Sequence, residues 1–261
     1  MSATSRAVDL HAKPSPHYTL RLAEAQSVLS QAAAQFAPAA PGQAATVVQA
    51  SSLGAEDIVI SHLINSLQVH IGIFVLDTGQ LHTQTLDLLQ RFQASSRAPV
   101  TVYQPVATAV VEFVQREGTE AMYKSIALRK ACCGIRKLEP LSRMLDGRSA
   151  WITGLRREQS GARADVAFEE DDGQGRRKLS PIADWTWAEV WAYVEKFSVP
   201  TNPLHDQFMP SIGCAPCTRA IAVGEDFRAG RWWWESEDAK ECGLHVHGAE
   251  EAAVSMIGEK Q

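Results

Sequence analysis

Residues 46–67 read TVVQASSLGAEDIVISHLINSL, and this stretch decides the fold class. A β-prone run, 46–50, leads into a turn of small residues, 51–57, and then into an apolar stretch with helical spacing, 58–67. A strand, a small-residue turn and a helix start together present backbone N–H groups and a positive helix end to an anion. The turn does not match GxxxxGK[ST], so it is not a Walker loop. The stretch predicts one βα unit and leaves open whether the turn binds an anion, because most such turns bind nothing.

Strand and helix signals alternate on both sides of this unit. Helices are predicted over 18–36, 85–92 and 106–116, strands over 69–76, 100–103 and 150–154, and a helix or helix kink from 125 that carries a cysteine doublet. Asp77, Thr78 and Gly79 follow the second strand, at the sheet edge where open α/β folds bind ligands. The alternation predicts an α/β fold with a doubly wound, mainly parallel sheet and helices on both faces.

The second half of the chain carries weaker signals. Residues 169–178 are acidic, then glycine-rich, then basic, which predicts an exposed hairpin or loose loop. Asp184 is the predicted N-cap of a helix whose core face carries Trp187, Val190, Trp191 and Val194. The predicted organisation is a flexible lead-in (1–17), one α/β domain (18–235) and a mobile C-terminal segment (236–261).

Composition excludes several classes of protein. The chain has 261 residues, 45% of them hydrophobic and 21% charged, as in ordinary soluble globular proteins. It has no apolar run near the ~20 residues of a membrane helix and no hydrophobic signal core at its start, so we expect a cytoplasmic protein without membrane association. The net charge of −5 gives no support for nucleic-acid binding. Basic residues nevertheless concentrate near the cysteine motifs, which favours a small anionic ligand.

The five cysteines lie at three places. Cys132 and Cys133 are adjacent, Cys214 and Cys217 form a CxxC pair, and Cys242 stands alone near the end. Four thiolates are the usual complement of an iron-sulfur cluster or a structural zinc, and adjacent cysteines suit the larger cluster. A buried pair of thiols or a redox-active dithiol would show the same sequence pattern. In each metal reading the fifth thiol is free to act as a nucleophile.

Together these motifs resemble one family. The combination of CC (132–133), CAPCTR (214–219), GRWWWE (230–235) and ECGLH (241–245) is similar to the cluster-containing, assimilatory branch of the adenylyl-sulfate (APS) and PAPS reductases. The resemblance covers about residues 45–247. It implies a fold similar to the adenine nucleotide alpha hydrolases (ATP pyrophosphatases), reduction of APS to sulfite and AMP, a [4Fe-4S] cluster, and thioredoxin or glutaredoxin as reductant.

The resemblance also assigns residues. Cys132, Cys133, Cys214 and Cys217 match the cluster ligands. The substrate-binding residues that it implies are Ser51, Ser52, Gly54, Glu56, Asp57, Asp77, Thr78, Gly79 and Arg156. It implies that Lys137, Arg228 and Arg231 act at the reacting phosphosulfate and that Cys242 is the nucleophile. The chain departs from the family pattern at Thr83-Gln84 and at Gly134, and it lacks the SGGxDS loop of enzymes that hydrolyse ATP.

Other readings remain open at this point. The substrate could be PAPS, or both nucleotides. From another class, the chain could be a non-catalytic metal-bound protein that binds adenine nucleotides. His245 and His247 receive no role, Trp232 to Trp234 are expected to pack rather than to stack on adenine, and a homo-oligomer is possible.

Overall fold

The computed structural model describes residues 6–40 and 42–236. Cys242, His245 and His247 therefore lie outside the described residues. A six-stranded sheet forms the centre, with the strands β1 Val47–Ser51, β2 Gly72–Leu76, β3 Val100–Tyr103, β4 Ala150–Ile152, β5 Glu169–Asp171 and β6 Arg177–Leu179. Their order is β3-β2-β1-β4-β6-β5, and all neighbours are parallel except β5 and β6. The prediction of a mainly parallel sheet is confirmed.

The helices of the described residues lie between and beside these strands. They are α1 Ala7–His11, α2 Tyr18–Gln35, α3 Ala55–Leu67, α4 Thr83–Ser95, α5 Ala107–Glu117, α6 Ala121–Lys124, α7 Ile126–Cys133, α8 Glu139–Leu145 and α9 Trp187–Phe197. A π-helical turn, Gly134–Leu138, joins α7 to α8. None of the described helices is long and apolar enough to cross a membrane.

Successive strand residues bury their side chains on opposite faces of the sheet. Val47 belongs to a large core formed with α2, α3, α4 and α9, whereas Val48 packs against α8 on the other side. Because side chains alternate along a strand, near-continuous apolar strands indicate a sheet that is covered twice. The predicted doubly wound architecture is confirmed.

The strand order reverses between β1 and β4. From β1 the chain moves outward to β2 and β3, and it then crosses to the other side of β1 to form β4. The loops that leave β1 and β4 therefore diverge and open a crevice at the carboxyl ends of the two strands. Such switch points are where open α/β sheets bind ligands.

Two element boundaries differ from the sequence prediction. β2 begins at Gly72 rather than at Val69, because Gln68 has a left-handed backbone (φ 55°) and a turn closes from Ile71 N–H to Val69 O (2.9 Å). The N-cap of α9 is Thr186, not Asp184. Thr186 Oγ1 accepts from Glu189 N–H at 3.1 Å, and the Glu189 carboxylate accepts from Thr186 N–H at 2.8 Å, which is a capping box.

Two segments predicted to be flexible or exposed make more contacts with the rest of the fold than expected. The flexible lead-in prediction is wrong from residue 7, because α1 packs on α9, Ala7 is buried, and Ala7 N–H donates to Asp206 at 2.7 Å. The exposed hairpin prediction holds only for its outer strand. β6 pairs with β4 inside the sheet, and its Lys178 is buried with the ammonium 2.9 Å from Glu170.

Candidate active site

A cavity of about 200 Å³ opens at the switch point of the sheet. Loops after β1, β2 and β4 form its floor, and the π-helical turn and the chain from 210 to 232 form its walls. Ten of the predicted site residues line it: Ser51, Ser52, Gly54, Glu56, Asp57, Thr78, Lys137, Cys214, Arg228 and Arg231. Asp77, Gly79 and Arg156 do not.

The turn after β1 is held in shape by Asp57. Its Oδ2 accepts from Ser52 N–H at 2.7 Å and from Ser52 Oγ at 2.6 Å, and its Oδ1 accepts from Gly154 N–H at 3.1 Å. One carboxylate thus joins the loop after β1 to the loop after β4. With both oxygens engaged by the protein, Asp57 shapes the cavity floor.

Burial sets the charge state of this carboxyl group. Desolvation raises the pKa of Asp57 to about 6, against the opposing effect of its bonds from Ser52. The neighbouring Glu56 raises that pKa further, because like charges disfavour ionisation. Asp57 is therefore an anion at neutral pH that titrates within the weakly acidic range.

Arg156 lies behind the cavity rather than in it. Its guanidinium is fully buried and donates to Glu56 Oε1 from Nε (3.1 Å) and Nη2 (2.9 Å). Nη1 also donates to Glu158 (2.8 Å) and to the Trp185 carbonyl (3.2 Å). The structure gives Arg156 internal partners and places it outside the cavity lining, and its role in substrate binding stays a prediction. Arg156 fixes Glu56 at the start of α3.

Arg163 is the cavity arginine that the sequence analysis does not single out. It follows β4, lines the cavity and donates from Nη1 to Gln159 Oε1 at 2.6 Å. The segment 155–163 contains three arginines, and letters alone do not say which one points into the crevice. The signal that separates them is tertiary, because Glu56 neutralises Arg156 from 100 positions away in the chain.

The turn after β2 supports the cysteines. Asp77 closes it by accepting from Gly79 N–H (3.0 Å), and Arg136 donates to the Thr78 carbonyl (2.7 Å). The Thr78 hydroxyl lies 3.2 Å from Cys214 Sγ. Of the three residues of this turn, only Thr78 lines the cavity, and the substrate-binding roles of Asp77 and Gly79 stay predictions.

The π-helical turn follows the cysteine doublet directly. Wide turns of this kind are rare and frequently occur at functional sites. Here the turn directs Lys137 into the cavity, while Arg136 is buried against the loop after β2. The predicted helix or kink around the doublet is thus a helix that widens immediately after Cys133.

The four predicted metal-binding cysteines belong to one buried cluster. Cys132 and Cys133 lie on α7. Cys214 and Cys217 lie in the loop just before Thr218, which forms a β-bridge with Arg231. Burial raises the pKa of Cys132 and raises that of Cys217 to about 11, while the cations Lys137 and Arg231 lower the latter. Cys214 also raises the pKa of both, because a like charge nearby disfavours ionisation.

Among residues 6–40 and 42–236, no three cysteine, histidine or acidic side chains are grouped to hold one ion. The donor set itself is four thiols, which is the complement of a structural zinc or of an iron-sulfur cluster. Four buried thiols beside cations still form a donor set that suits a larger, anionic iron-sulfur centre, because such centres are held by thiolates.

His205, which the sequence analysis misses, connects two elements beside the cavity without lining it. Its buried ring accepts from Ala55 N–H at Nε2 (3.2 Å), and Nδ1 lies 2.9 Å from the Met209 carbonyl. Burial lowers the pKa of this imidazole, which favours the neutral ring that this pair of bonds requires. The ring ties the first turn of α3 to the loop that leads to Cys214, and no local sequence pattern indicates such a bridge.

Comparison with known proteins identifies the family. Residues 46–220 match the model of the phosphoadenosine phosphosulfate reductase domain. The chain belongs to this family. Two curated relatives, both named adenosine 5′-phosphosulfate reductase, come from Burkholderia cepacia and Allochromatium vinosum. They are 54% and 52% identical over 76% and 77% of this chain, and over 79% and 78% of their own lengths.

Solved structures agree with the family fold. The phosphoadenylyl-sulfate (PAPS) reductase of Candida auris is 26% identical, with a TM-score of 0.61 over 76% of this chain and 93% of that one. The FMN adenylyltransferase of Candida glabrata is 12% identical, with a TM-score of 0.54 over 95% of this chain and 83% of that one, and it shows the fold alone. The predicted similarity to the adenine nucleotide alpha hydrolase fold is confirmed.

Proposed function

We propose that this protein is an APS reductase, which converts adenosine 5′-phosphosulfate to sulfite and AMP in assimilatory sulfate reduction. The observation that carries the proposal is the cavity itself. Lys137, Arg163, Arg228 and Arg231 line it together with Cys214, a member of the cysteine cluster. Cations that converge in a partly desolvated crevice stabilise a multiply charged phosphosulfate. The curated relatives at 54% and 52% identity, which are named for this activity, support the same substrate.

The proposed reaction needs a thiolate. The Cys242 thiolate attacks the sulfur of APS, a sulfur–sulfur bond forms, and the bond from that sulfur to the AMP oxygen breaks. AMP leaves with the electron pair, and Cys242 becomes an S-sulfocysteine. The cationic wall favours the thiolate and neutralises the charge that develops on the leaving phosphate.

Release of sulfite needs two electrons from a dithiol. One thiolate of the reductant attacks the Cys242 sulfur and expels sulfite, and the second thiolate then resolves the mixed disulfide, so that Cys242 is restored and the reductant becomes a disulfide. The other four cysteines are buried together, so an external dithiol of the thioredoxin or glutaredoxin class is the proposed partner.

Cys132, Cys133, Cys214 and Cys217 are the proposed ligands of a [4Fe-4S] cluster. Their donor chemistry fits, since four buried thiols surrounded by Arg136, Lys137 and Arg231 can be held as thiolates. When bound, the cluster supplies fixed charge beside the substrate. The chain's own contribution is Thr78, which contacts Cys214, and Lys137, which lies in the cavity wall next to the cysteine helix.

Substitution of the nucleophile tests the proposal. In anaerobic assays with APS and reduced thioredoxin, we expect sulfite and AMP in equal amounts from the wild-type protein. Cys242→Ser should release no sulfite and should retain iron and nucleotide binding. Sulfite production at the wild-type rate by Cys242→Ser would overturn the mechanism. Turnover of PAPS in the same assay separates strict APS reduction from dual specificity, and AMP binding without turnover of either nucleotide would favour a non-catalytic nucleotide-binding protein.

A further inference from the structure

A buried ion pair lies next to the cysteine cluster but outside the cavity. Arg129 on α7 donates to Glu235 from Nε to Oε1 (3.0 Å) and from Nη2 to Oε2 (2.7 Å). The two side chains are only 1% and 2% exposed. Removing two charges from water is costly even when they are paired, so a buried fork of this kind adds little net stability compared with apolar residues. What it supplies is a fixed geometry between α7 and residue 235.

The segment fixed in this way has a strained backbone. Trp232 adopts φ 41°, a left-handed conformation that is a genuine outlier for a bulky residue. A turn closes over it from Glu235 N–H to Trp232 O (2.8 Å), and Trp232 N–H donates to the Cys217 carbonyl (3.3 Å). Such conformations persist only where surrounding contacts enforce them, and they concentrate at functional sites. The ion pair is positioned to enforce this one.

The Trp232 ring connects the ion pair to the cavity. The Arg129 guanidinium lies 4.6 Å from the centre of the ring, and the Arg231 guanidinium lies 4.7 Å from the same centre. Both contacts are within the range of a cation–π interaction. Arg231 thus packs on a ring whose other guanidinium neighbour is locked to Glu235.

The remaining contacts of Arg231 hold it weakly. Nη1 donates to the Ile212 carbonyl at 3.4 Å, and Nε is buried without a hydrogen-bond acceptor in the described part of the chain. Gly213 makes room for the guanidinium, because a Cβ at that position would lie 2.3 Å from Nη2. The side chain is therefore placed by packing, with donor capacity left for an anion in the cavity.

From these contacts we infer that Arg129 and Glu235 are positioning residues for Arg231. The pair holds the turn 232–235 in its strained conformation, and this turn fixes the position of the Trp232 ring. The ring in turn orients the Arg231 guanidinium toward the phosphosulfate. This inference rests on the proposed function for the identity of the anion. Neither Arg129 nor Glu235 lines the cavity, so their effect on binding is indirect.

A double-mutant cycle tests the inference in the Cys242→Ser background, in which APS binds without reacting. The pair is replaced as a unit by Arg129→Met with Glu235→Leu, because changing one residue alone would leave the other buried without the bonds of this fork. Isothermal titration gives the APS dissociation constant for this variant, for Arg231→Ala and for the combination. Arg228 lines the same cavity, so Arg228→Ala replaces Arg231→Ala in a matched control cycle. Iron content is measured for every variant.

We expect APS affinity to fall about 10-fold for the pair and about 10-fold for Arg231→Ala, and about 10-fold rather than about 100-fold for the combination. The affinity losses of the pair variant and of Arg228→Ala should instead multiply to about 100-fold if Arg228→Ala alone also costs about 10-fold. The inference would be overturned if the affinity losses of the pair variant and Arg231→Ala multiplied, as those of the pair variant and Arg228→Ala do. Unchanged APS affinity in the iron-loaded pair variant would also overturn it. If the wild-type protein binds APS but forms no sulfite, the proposed function fails while the cycle still decides the positioning role.

For a pair variant that does not fold, Arg129→Lys keeps the charge and loses the fork. The same non-additivity with Arg231→Ala is expected from this milder change. Arg21→Met, which breaks the part-buried pair with Glu189 outside the cavity lining, is the stability control and should leave APS affinity unchanged.

Discussion

At the scale of single residues, Gly154 leaves no room for a side chain at the cavity floor. A Cβ there would lie 2.4 Å from Asp57 Oδ1 and 3.0 Å from Glu56 Cβ. The Asp57 carboxylate cannot retreat without giving up its bonds from Ser52. The floor of the cavity therefore depends on the absence of a side chain at residue 154.

We expect Gly154→Ala to destabilise the fold by about 1–3 kcal/mol, as overpacking of a tight site does. It should also weaken AMP binding, because the loops after β1 and β4 are pushed apart. Urea unfolding and AMP titration measure the two effects. Gly161→Ala is the matched control, since no heavy atom lies within 4 Å of its Cβ position, and equal behaviour of the two variants would contradict the account.

The second prediction at this scale concerns pH. The pKa of Asp57 is raised to about 6 from its ordinary 3.8, so the folded state holds the proton more tightly than the unfolded state does. Its contribution to stability is then present below about pH 4 and is lost as pH rises through about 6, by up to roughly 3 kcal/mol. His205, whose pKa is lowered, acts in the opposite direction.

The contribution of Asp57 is isolated by difference. The unfolding free energy of the wild-type protein minus that of Asp57→Asn should fall between pH 4 and pH 7, because every other titrating group is common to both proteins. Denaturant titrations at several pH values give this difference. A difference that rises with pH would mean that the bonds from Ser52 and Gly154 outweigh desolvation, and would contradict the raised pKa.

At the scale of elements, the α7–π–α8 segment joins the cysteine doublet to the cavity. Gly134 begins the π-helical turn with helical angles (φ −54°, ψ −55°) and has no heavy atom within 4 Å of its Cβ position. We expect Gly134→Ala to stabilise the protein by about 0.5–1 kcal/mol, through lower backbone entropy in the unfolded state. Thermal unfolding measures it. Gly147→Ala, at φ 68°, should destabilise instead, and the same sign for both would contradict the prediction.

The elements also show how far sequence reasoning reaches. Strand β3 was predictable to the residue, because a short β-branched run between polar segments has few alternatives. The start of α9 was predictable too, had the Thr186 and Glu189 spacing of a capping box been preferred to the nearer acidic Asp184. The start of β2 was not, since the left-handed Gln68 is not a residue type that marks a turn.

The residues of the candidate site also differ in whether the sequence alone could predict them. Residues that the motifs name and that stand at the carboxyl ends of β1 and β2, such as Ser52 and Thr78, were found from the letters, because a parallel sheet brings those ends together. Arg163 was not found from the sequence, because the contact that distinguishes it from Arg156 is made by Glu56 in another element. His205 was missed because its partners, Ala55 and Met209, are joined only by the folded chain.

At the scale of the whole molecule, the reversal of strand order unites the site. The loops after β1 and β4 diverge there, the α7–π–α8 segment brings Lys137, and the chain after α9 brings Cys214, Arg228 and Arg231. Each of these parts lies on a different stretch of sequence, and only the sheet topology brings them to one cavity. We propose that this cavity holds APS for attack by the Cys242 thiolate.

Mass spectrometry of the anaerobic, iron-loaded protein, mixed with APS in the absence of a thiol reductant, tests this covalent step. We expect one added sulfonate group per chain, confined to the peptide that contains Cys242, and release of an equal amount of AMP. An unmodified Cys242 in protein that binds APS, or a sulfonate on any of the other four cysteines instead, would contradict it.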